Sequence, residues 1–203
     1  MAVPATAEEV WESVATGPGY RRWFVEAELE PRVGGTLVTH HGDFGDSEGT
    51  LPGWRSALRL LAEFHTHFAG RQTAQALVMR EVPAGHRLTV LLGLDGAVVG
   101  QQATARAEAG GRHLAVTGMV IEASGGPTGE GPTQQDSVVL RVADGAAPGV
   151  YEFGTMQYGE TRMSVVRGYL HVPADADPGV AEAAQAARAV EHDWAAVLDA
   201  LLA

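Results

Sequence analysis

The sequence has 203 residues, 45% of them hydrophobic, which is enough for one full-sized domain or two small ones. Its net charge of -11 disfavours nucleic acids and anionic membranes as partners, because both require a basic binding face. Cysteine and lysine are both absent, which excludes disulfides, thiolate metal sites, a cysteine nucleophile and Schiff-base chemistry on a lysine. Without a long apolar run or a basic leader, the expected location is the cytoplasm.

The first predicted element is a helix that begins after Thr6. Thr6 and Glu9 have the spacing of a capping box, and apolar residues follow at Val10, Trp11 and Val14. The run Gly17-Pro18-Gly19 predicts the end of this helix, with a short helical turn over residues 20–24.

Two extended segments and a second helix complete the first third of the chain. The segments are predicted over residues 28–33 and 36–41, followed by a polar, glycine-rich loop over residues 42–50. Residues 54–69 have the apolar spacing of an amphipathic helix, and Gly70 is expected to end it. Its apolar stripe consists of Trp54, Leu58, Leu61, Phe64 and Phe68.

The rest of the chain alternates between β-tolerant runs and turn residues. An extended run over residues 73–82 precedes a short helix over residues 86–94. Five further strands are predicted, separated by glycine-rich turns that include a loop over residues 125–134. Their ranges are 101–108, 113–123, 136–143, 150–158 and 160–172. This spacing is typical of an antiparallel meander of hairpins.

A long amphipathic helix is predicted over residues 178–203. Asp177 suits its cap and Pro178 its first position. Its apolar residues have the spacing of one buried face: Ala184, Ala187, Val190, Trp194, Val197, Leu198 and Leu201. Such a face needs a partner surface, and the strands just before it supply one. The predicted fold is therefore α+β, an antiparallel sheet gripping a long C-terminal helix.

Several separated motifs carry a family resemblance. They are Ala5-Thr6-Ala7-Glu8-Glu9-Val10-Trp11, Gly17-Pro18-Gly19, Trp23-Phe24, Arg32-Val33-Gly34-Gly35, Gly53-Trp54 and Phe68-Ala69-Gly70-Arg71. In this order they resemble START-like helix-grip (SRPBCC) proteins, and among these the homologues of the activator of the heat-shock-protein ATPase. Leu92-Gly93-Leu94, Pro148-Gly149 and Tyr169-Leu170 resemble the second half of two-part bacterial members.

The resemblance implies two domains of unequal completeness. Residues 1–71 would be an abridged, mostly helical copy, because Gly35 and Gly53 leave room for few strands between them. Residues 72–203 would be a more complete copy. The apolar face of the helix over residues 54–69 needs cover, either from the second copy or in a homodimer.

Residues with catalytic or metal-binding chemistry are few. His40, Asp43 and His65 could form a composite metal site, although surface histidines explain them more simply. No serine lies in a G-x-S-x-G motif, and no glycine-rich loop has phosphate-binding order. Tyr169 and His171 share a strand face and are the nearest approach to an acid–base pair. No catalytic residue, metal ligand or cofactor site is assigned, and the balance is against an enzyme.

The resemblance implies a cavity between sheet and helix, whose candidate lining is Tyr151, Phe153, Tyr169, Val190 and Trp194. The first functional hypothesis is therefore non-catalytic binding of a small apolar ligand. The alternative is a protein-interaction module of the chaperone-activator type. A second alternative is a cyclase- or hydrolase-like enzyme of the same superfamily, which would need an ionisable pair in the cavity.

Overall fold

The structure is a computed structural model that describes residues 3–32, 35–40, 46–48, 54–124, 136–158, 160–173 and 179–203. Its contacts group the chain into two compact units. One consists of Met1–Gln75 and His171–Ala184, the other of Ala76–Leu170 and Gln185–Ala203. In the described ranges, no helix is both long and apolar enough to cross a membrane. The predicted cap at Asp177 and Pro178, the loop over residues 125–134 and Asp43 lie outside those ranges.

The first unit opens with helices α1 (Ala7–Ala15) and α2 (Gly17–Arg21). The predicted capping box is confirmed: the Glu9 amide donates to the Thr6 hydroxyl at 3.2 Å, and the Thr6 amide donates to the Glu9 carboxylate at 2.7 Å. Helix α1 ends before Gly17-Pro18-Gly19, as predicted. These three residues also begin α2, whose predicted range of residues 20–24 was wrong. Thr16 caps this helix, and a proline is tolerated in a first turn, where its missing N–H has no helical partner.

A small antiparallel sheet follows in the order β1 (Glu26–Leu29), β2 (Leu37–His40) and β3 (Asp46–Glu48). Residues 42–50 were predicted as one loop, and this is wrong for Asp46–Glu48, which form β3 and pair with β2 through Ser47 and Thr39. The strand was not predicted because Asp46 and Glu48 are charged and lack the apolar pattern of a strand. Its backbone can still pair with β2, because strand pairing does not require apolar side chains. Helix α3 (Trp54–Glu63) continues as a π-helical stretch over Phe64–Phe68. Gly70, with a φ of 77°, ends it as predicted.

The larger sheet has six strands in the order β4-β9-β8-β7-β6-β5 and confirms the predicted antiparallel meander. A short helix, α4 (Leu88–Leu91), lies between β4 and β5, and a long helix, α5 (Gly179–Leu201), ends the chain. The strands are β4 (Arg71–Glu81), β5 (Gln102–Ala109), β6 (Arg112–Ser124), β7 (Asp136–Val142), β8 (Gly149–Tyr158) and β9 (Thr161–Pro173).

Helix α5 packs against one face of this sheet. The Leu77 amide of β4 donates to the Glu191 carboxylate at 3.0 Å, and Arg112 of β6 binds Asp193 at 2.7 Å. Gly110, at the turn between β5 and β6, has a φ of 58°, and an added Cβ would lie 3.1 Å from Ala200. Contacts from widely separated strands show that the helix lies across the sheet. The predicted α+β class, a sheet gripping a C-terminal helix, is confirmed.

Removing the cap of α1 should loosen that helix without unfolding the chain. Thr6→Ala deletes the oxygen that receives the Glu9 amide, and we expect a loss of about 1 kcal/mol in the local stability of α1. Amide hydrogen exchange over Ala7–Ala15 measures this loss. Thr104→Ala is a matched control, because the Thr104 hydroxyl bonds the exposed Thr117 and caps nothing. Equal exchange rates in α1 of wild type and Thr6→Ala would contradict the prediction.

Candidate functional site

The side chains predicted to line a cavity lie on β8, β9 and α5. Tyr151 and Phe153 are two residues apart on β8 and share one face, with their rings stacked 6.3 Å apart. The Phe153 ring lies 5.3 Å from that of Trp194 on α5. The structure therefore brings three of the five candidates together, on the sheet face that the helix covers.

The other two candidates are placed differently. Tyr169 pairs in register with Val150, whereas Tyr151 pairs with Gly168. Since directly opposite residues share a face, the Tyr169 side chain lies on the opposite face of the sheet from Tyr151. Val190 is half-buried on α5, one helical turn before Trp194.

Described side chains of the sheet and of the helix pack closely between them. Phe153, Leu140, Val197 and Leu198 each have 0% of their surface exposed, so no water-sized space touches any of them. Tyr151 is 3% exposed, and a Cβ added at Gly168 would lie 3.2 Å from its ring. A ligand among these side chains would have to displace some of them.

The Tyr151 hydroxyl already has a partner. It donates to the Ala147 carbonyl oxygen at 2.7 Å, four residues earlier in the chain. Burial raises the pKa of Tyr151, because the phenolate would lose its hydration. The hydroxyl is thus a neutral donor that anchors the turn before β8, and its proton is not available to orient a ligand.

A buried carboxylate, which the sequence did not single out, joins α4 to the sheet. Asp136, at the start of β7, is 5% exposed and accepts a short hydrogen bond from the Thr89 hydroxyl. The Arg87 guanidinium lies 3.4 Å from the same oxygen, and the Leu88 amide donates to the Thr155 hydroxyl at 2.9 Å. The other Asp136 oxygen is buried and has no hydrogen-bond partner in the part of the chain that the structure describes. These bonds fix the first turn of α4, so their role is structural.

His171, which the sequence suggested with Tyr169 as the nearest approach to an acid–base pair, is a core residue of the first unit. It is 1% exposed, and its ring stacks on Phe68 at 4.3 Å. The Thr73 hydroxyl donates its one proton to the Arg22 carbonyl and lies 2.8 Å from Nδ1, so Nδ1 carries the hydrogen between them. Burial, with the Arg71 cation adding to it, lowers the pKa of His171 to about 3. A histidine held neutral in this way is a poor general base near pH 7.

Ser13 and His65 form a second histidine contact, which the sequence did not predict. The His65 Nε2 lies 3.1 Å from the Ser13 hydroxyl, which donates its proton to the Glu9 carbonyl at 2.8 Å. His65 must then donate to Ser13 and cannot remove its proton in this arrangement. Burial lowers the pKa of His65, and the Glu9 carboxylate opposes that shift. Ser13 is 3% exposed, so the pair holds helices together and does not present a nucleophile.

The first unit carries an open groove of about 580 Å³ between α1 and the β1–β2 hairpin. The helix contributes Trp11, Val14 and Ala15, and the hairpin contributes Leu29, Pro31 and Leu37. Backbone bonds fix the hairpin end: the Glu30 amide donates to the Thr36 carbonyl at 2.9 Å, and the Gly35 amide to the Arg32 carbonyl at 2.9 Å. Trp11 is 65% exposed even though it lines the groove. The groove is therefore a formed apolar surface that no described residue of the unit covers fully.

Charges at the groove are partly neutralised. Glu30 and Arg32 both line it and pair at 2.7 Å. Glu12 pairs with Arg22 at 3.2 Å, and α1 has no basic residue in its last turn. Glu8 is exposed and has no ion pair in the part of the chain that the structure describes. The exposed charge that Glu8 adds to α1 is thus negative.

Sequence reasoning missed this groove because it took Trp11 only as one of the apolar residues of the first helix. A signal was present: Glu8 and Ala15 lie three residues before and four after Trp11, so a charged residue shares its face. No group of three metal-ligating side chains occurs in the described ranges, which exclude Asp43 of the weighed composite site.

Compared with protein-family models, with curated proteins and with solved structures, the chain matches none of them.

Proposed function

We propose that this protein is a non-catalytic interaction module whose groove between α1 and the β1–β2 hairpin binds an apolar segment of a partner polypeptide. The observation that carries the proposal is Trp11, a large aromatic side chain that is 65% exposed at the edge of a formed apolar groove. Tryptophan is enriched among the residues that dominate protein interfaces, because it buries much surface with few rotatable bonds.

The openness of the groove favours a polypeptide over a small molecule. Small-ligand sites usually enclose about 70–90% of the ligand surface. A groove that leaves Trp11 mostly exposed cannot enclose a small ligand, whereas a polypeptide segment is covered on one side only and gains further contacts along its length. The close packing of the described side chains between sheet and helix also favours the groove, because a small ligand would have to displace some of them.

We also propose that the chain is a divergent helix-grip protein related to the START-like (SRPBCC) class and, within it, to the chaperone-activator homologues. The six-stranded antiparallel sheet with its C-terminal helix supports the coarser relationship. The motif order in the first 71 residues supports the finer one. A partner-binding role accords with the chaperone-activator branch.

Replacing Trp11 should abolish partner binding while leaving the fold intact. Peptides selected from a random library on the wild-type protein are expected to bind Trp11→Ser about thirtyfold more weakly, the effect of removing a tryptophan hot spot of about 2 kcal/mol. Fluorescence anisotropy of a labelled peptide measures the affinity, and urea unfolding should give an unchanged stability.

Val99→Ser is the matched control, because Val99 is an exposed apolar residue in the second unit, 58% exposed. It should leave peptide affinity unchanged. Failure to select any peptide, or equal binding to Trp11→Ser and wild type, would show that the groove is not an interaction site.

A second candidate function, binding of a small apolar molecule between sheet and helix, is favoured by the contact among Tyr151, Phe153 and Trp194. To enter this space, such a ligand would have to displace some of these aromatic rings. Native mass spectrometry of the purified protein distinguishes the candidates. A retained small molecule favours the ligand, whereas an apo dimer favours an interaction surface between copies.

A further inference from the structure

The partner segment can be specified further from the charge beside the groove, an inference that rests on the proposed interaction function. The ion pair between Glu30 and Arg32 cancels the charges that line the groove, and Arg22 offsets Glu12. Glu8 is left as an exposed carboxylate without an ion pair among the described residues. The charge that a partner meets at the helix side is therefore negative.

Glu8 and Trp11 lie on the same side of α1. Glu8, Trp11 and Ala15 follow one another at intervals of three and four residues along α1, so they form one stripe of the helix. Trp11 and Ala15 both line the groove. The Glu8 carboxylate thus belongs to the same stripe, one turn before the exposed indole of Trp11.

A carboxylate beside an exposed indole is a favourable environment for a cation. The face of a tryptophan ring attracts a guanidinium or ammonium group, and a neighbouring carboxylate adds a charge-assisted hydrogen bond. An acidic partner would instead meet an uncompensated like charge. The apolar residues Val14, Leu29 and Leu37 provide the adjoining hydrophobic contact.

We infer that the α1–hairpin groove binds a basic-apolar polypeptide segment, in which apolar side chains fill the groove and an arginine or lysine lies over Trp11 and against Glu8. The complementarity between the exposed Glu8 carboxylate and a basic segment selects this occupant over a neutral or acidic one. The overall charge of -11 on this protein also increases the rate at which it encounters a basic partner.

The test uses two synthetic peptides with the same leucine positions, one carrying two arginines and the other two glutamines at the same places. We expect wild-type protein to bind the arginine peptide about tenfold more tightly, through a cation–π contact and one ion pair. Glu8→Gln should reduce that preference to about threefold, and added salt should weaken the arginine peptide selectively.

Glu108→Gln is the control for overall charge, because Glu108 is an exposed carboxylate on β5 and its side chain is 85% exposed. It should keep the full arginine preference. Equal binding of both peptides to wild type, or a preference that Glu8→Gln leaves unchanged, would overturn the inference while leaving the groove as a binding site. Binding of neither peptide would overturn both the inference and the proposed function.

Discussion

Acidification from about pH 7.5 to about pH 5 is expected to lower the free energy of unfolding by about 2 kcal/mol through His171 alone. Its ring is 1% exposed and stacked on Phe68, and Arg71 stands close by. These surroundings oppose a positive charge on the ring. The loss should be measured as the difference in urea-unfolding free energy between the two pH values.

The free energy of unfolding falls on acidification because the unfolded state binds a proton that the folded state does not. The pKa of His171 is about 3 in the folded protein, against 6.5 for an ordinary histidine. Above the ordinary value both states are neutral, and the stabilising effect of burying a neutral ring is fully present. As the pH falls below it, the unfolded chain takes up a proton that the folded protein does not. Stability then declines by about 1.4 kcal/mol per pH unit until the folded pKa is reached.

His171→Phe isolates this effect, because phenylalanine keeps an aromatic ring of similar size against Phe68 and cannot be protonated. The variant should show a slope smaller than the wild type by the amount assigned to His171. His113→Gln serves as the matched control, since it removes a histidine whose side chain is 66% exposed and leaves the buried His171 in place. If wild type and His171→Phe lose the same stability on acidification, burial of this histidine does not govern the response to acid.

The fold was largely predictable because its elements are encoded locally. The capping box at Thr6 and Glu9, the glycine-rich turns and the apolar stripe of the last helix each act over a few residues. The six-stranded meander follows from short connections between strands. The start of α2, by contrast, was predicted wrongly. Gly17 and Pro18 were taken only as the end of α1, but a proline that cannot continue one helix can also lie in the first turn of the next.

The placement of side chains in the site was less predictable, because it depends on contacts distant in sequence. The alternation along β8 put Tyr151 and Phe153 on one face, but only the contact with Trp194 identifies that face as the one toward the helix. Tyr169 lies on the other face because the register opposes it to Val150. No local pattern fixes register between strands, so the aromatic candidates looked like one group in sequence.

The candidate groove illustrates the same limit at the surface. Trp11 has a residue type and spacing that fit a buried helical face, yet it is 65% exposed. Burial depends on what packs against α1, and Ser13 and Ala15, not Trp11, are the buried positions of that helix. The sequence hints at the exposure of this large aromatic residue only through Glu8 on the same side of the helix, whereas the structure establishes it, and the exposure is the reason for preferring an interaction site.

Phe153→Ala is expected to have the largest effect on stability among these variants, a loss of about 3–5 kcal/mol in the free energy of unfolding. The side chain is 0% exposed, stacks with Tyr151 and contacts Trp194. Its removal forfeits the transfer free energy of the ring and leaves a cavity that neighbouring side chains fill incompletely. Urea unfolding measures the loss. Val98→Ala, at a residue that is 52% exposed, should cost less than about 0.5 kcal/mol.

The same variant decides whether the space between sheet and helix is a ligand site. A cavity of phenyl size lined by apolar side chains stays dry and can bind an aromatic molecule such as benzene, which would raise the melting temperature of Phe153→Ala. The close-packed wild type should not respond. If wild type is stabilised as strongly by small apolar molecules, its core opens to admit them, and small-ligand binding replaces partner binding as the better account. A stabilisation confined to Phe153→Ala would instead mean that the native protein fills this space with its own side chains, which leaves the groove beside Trp11 as the site to pursue.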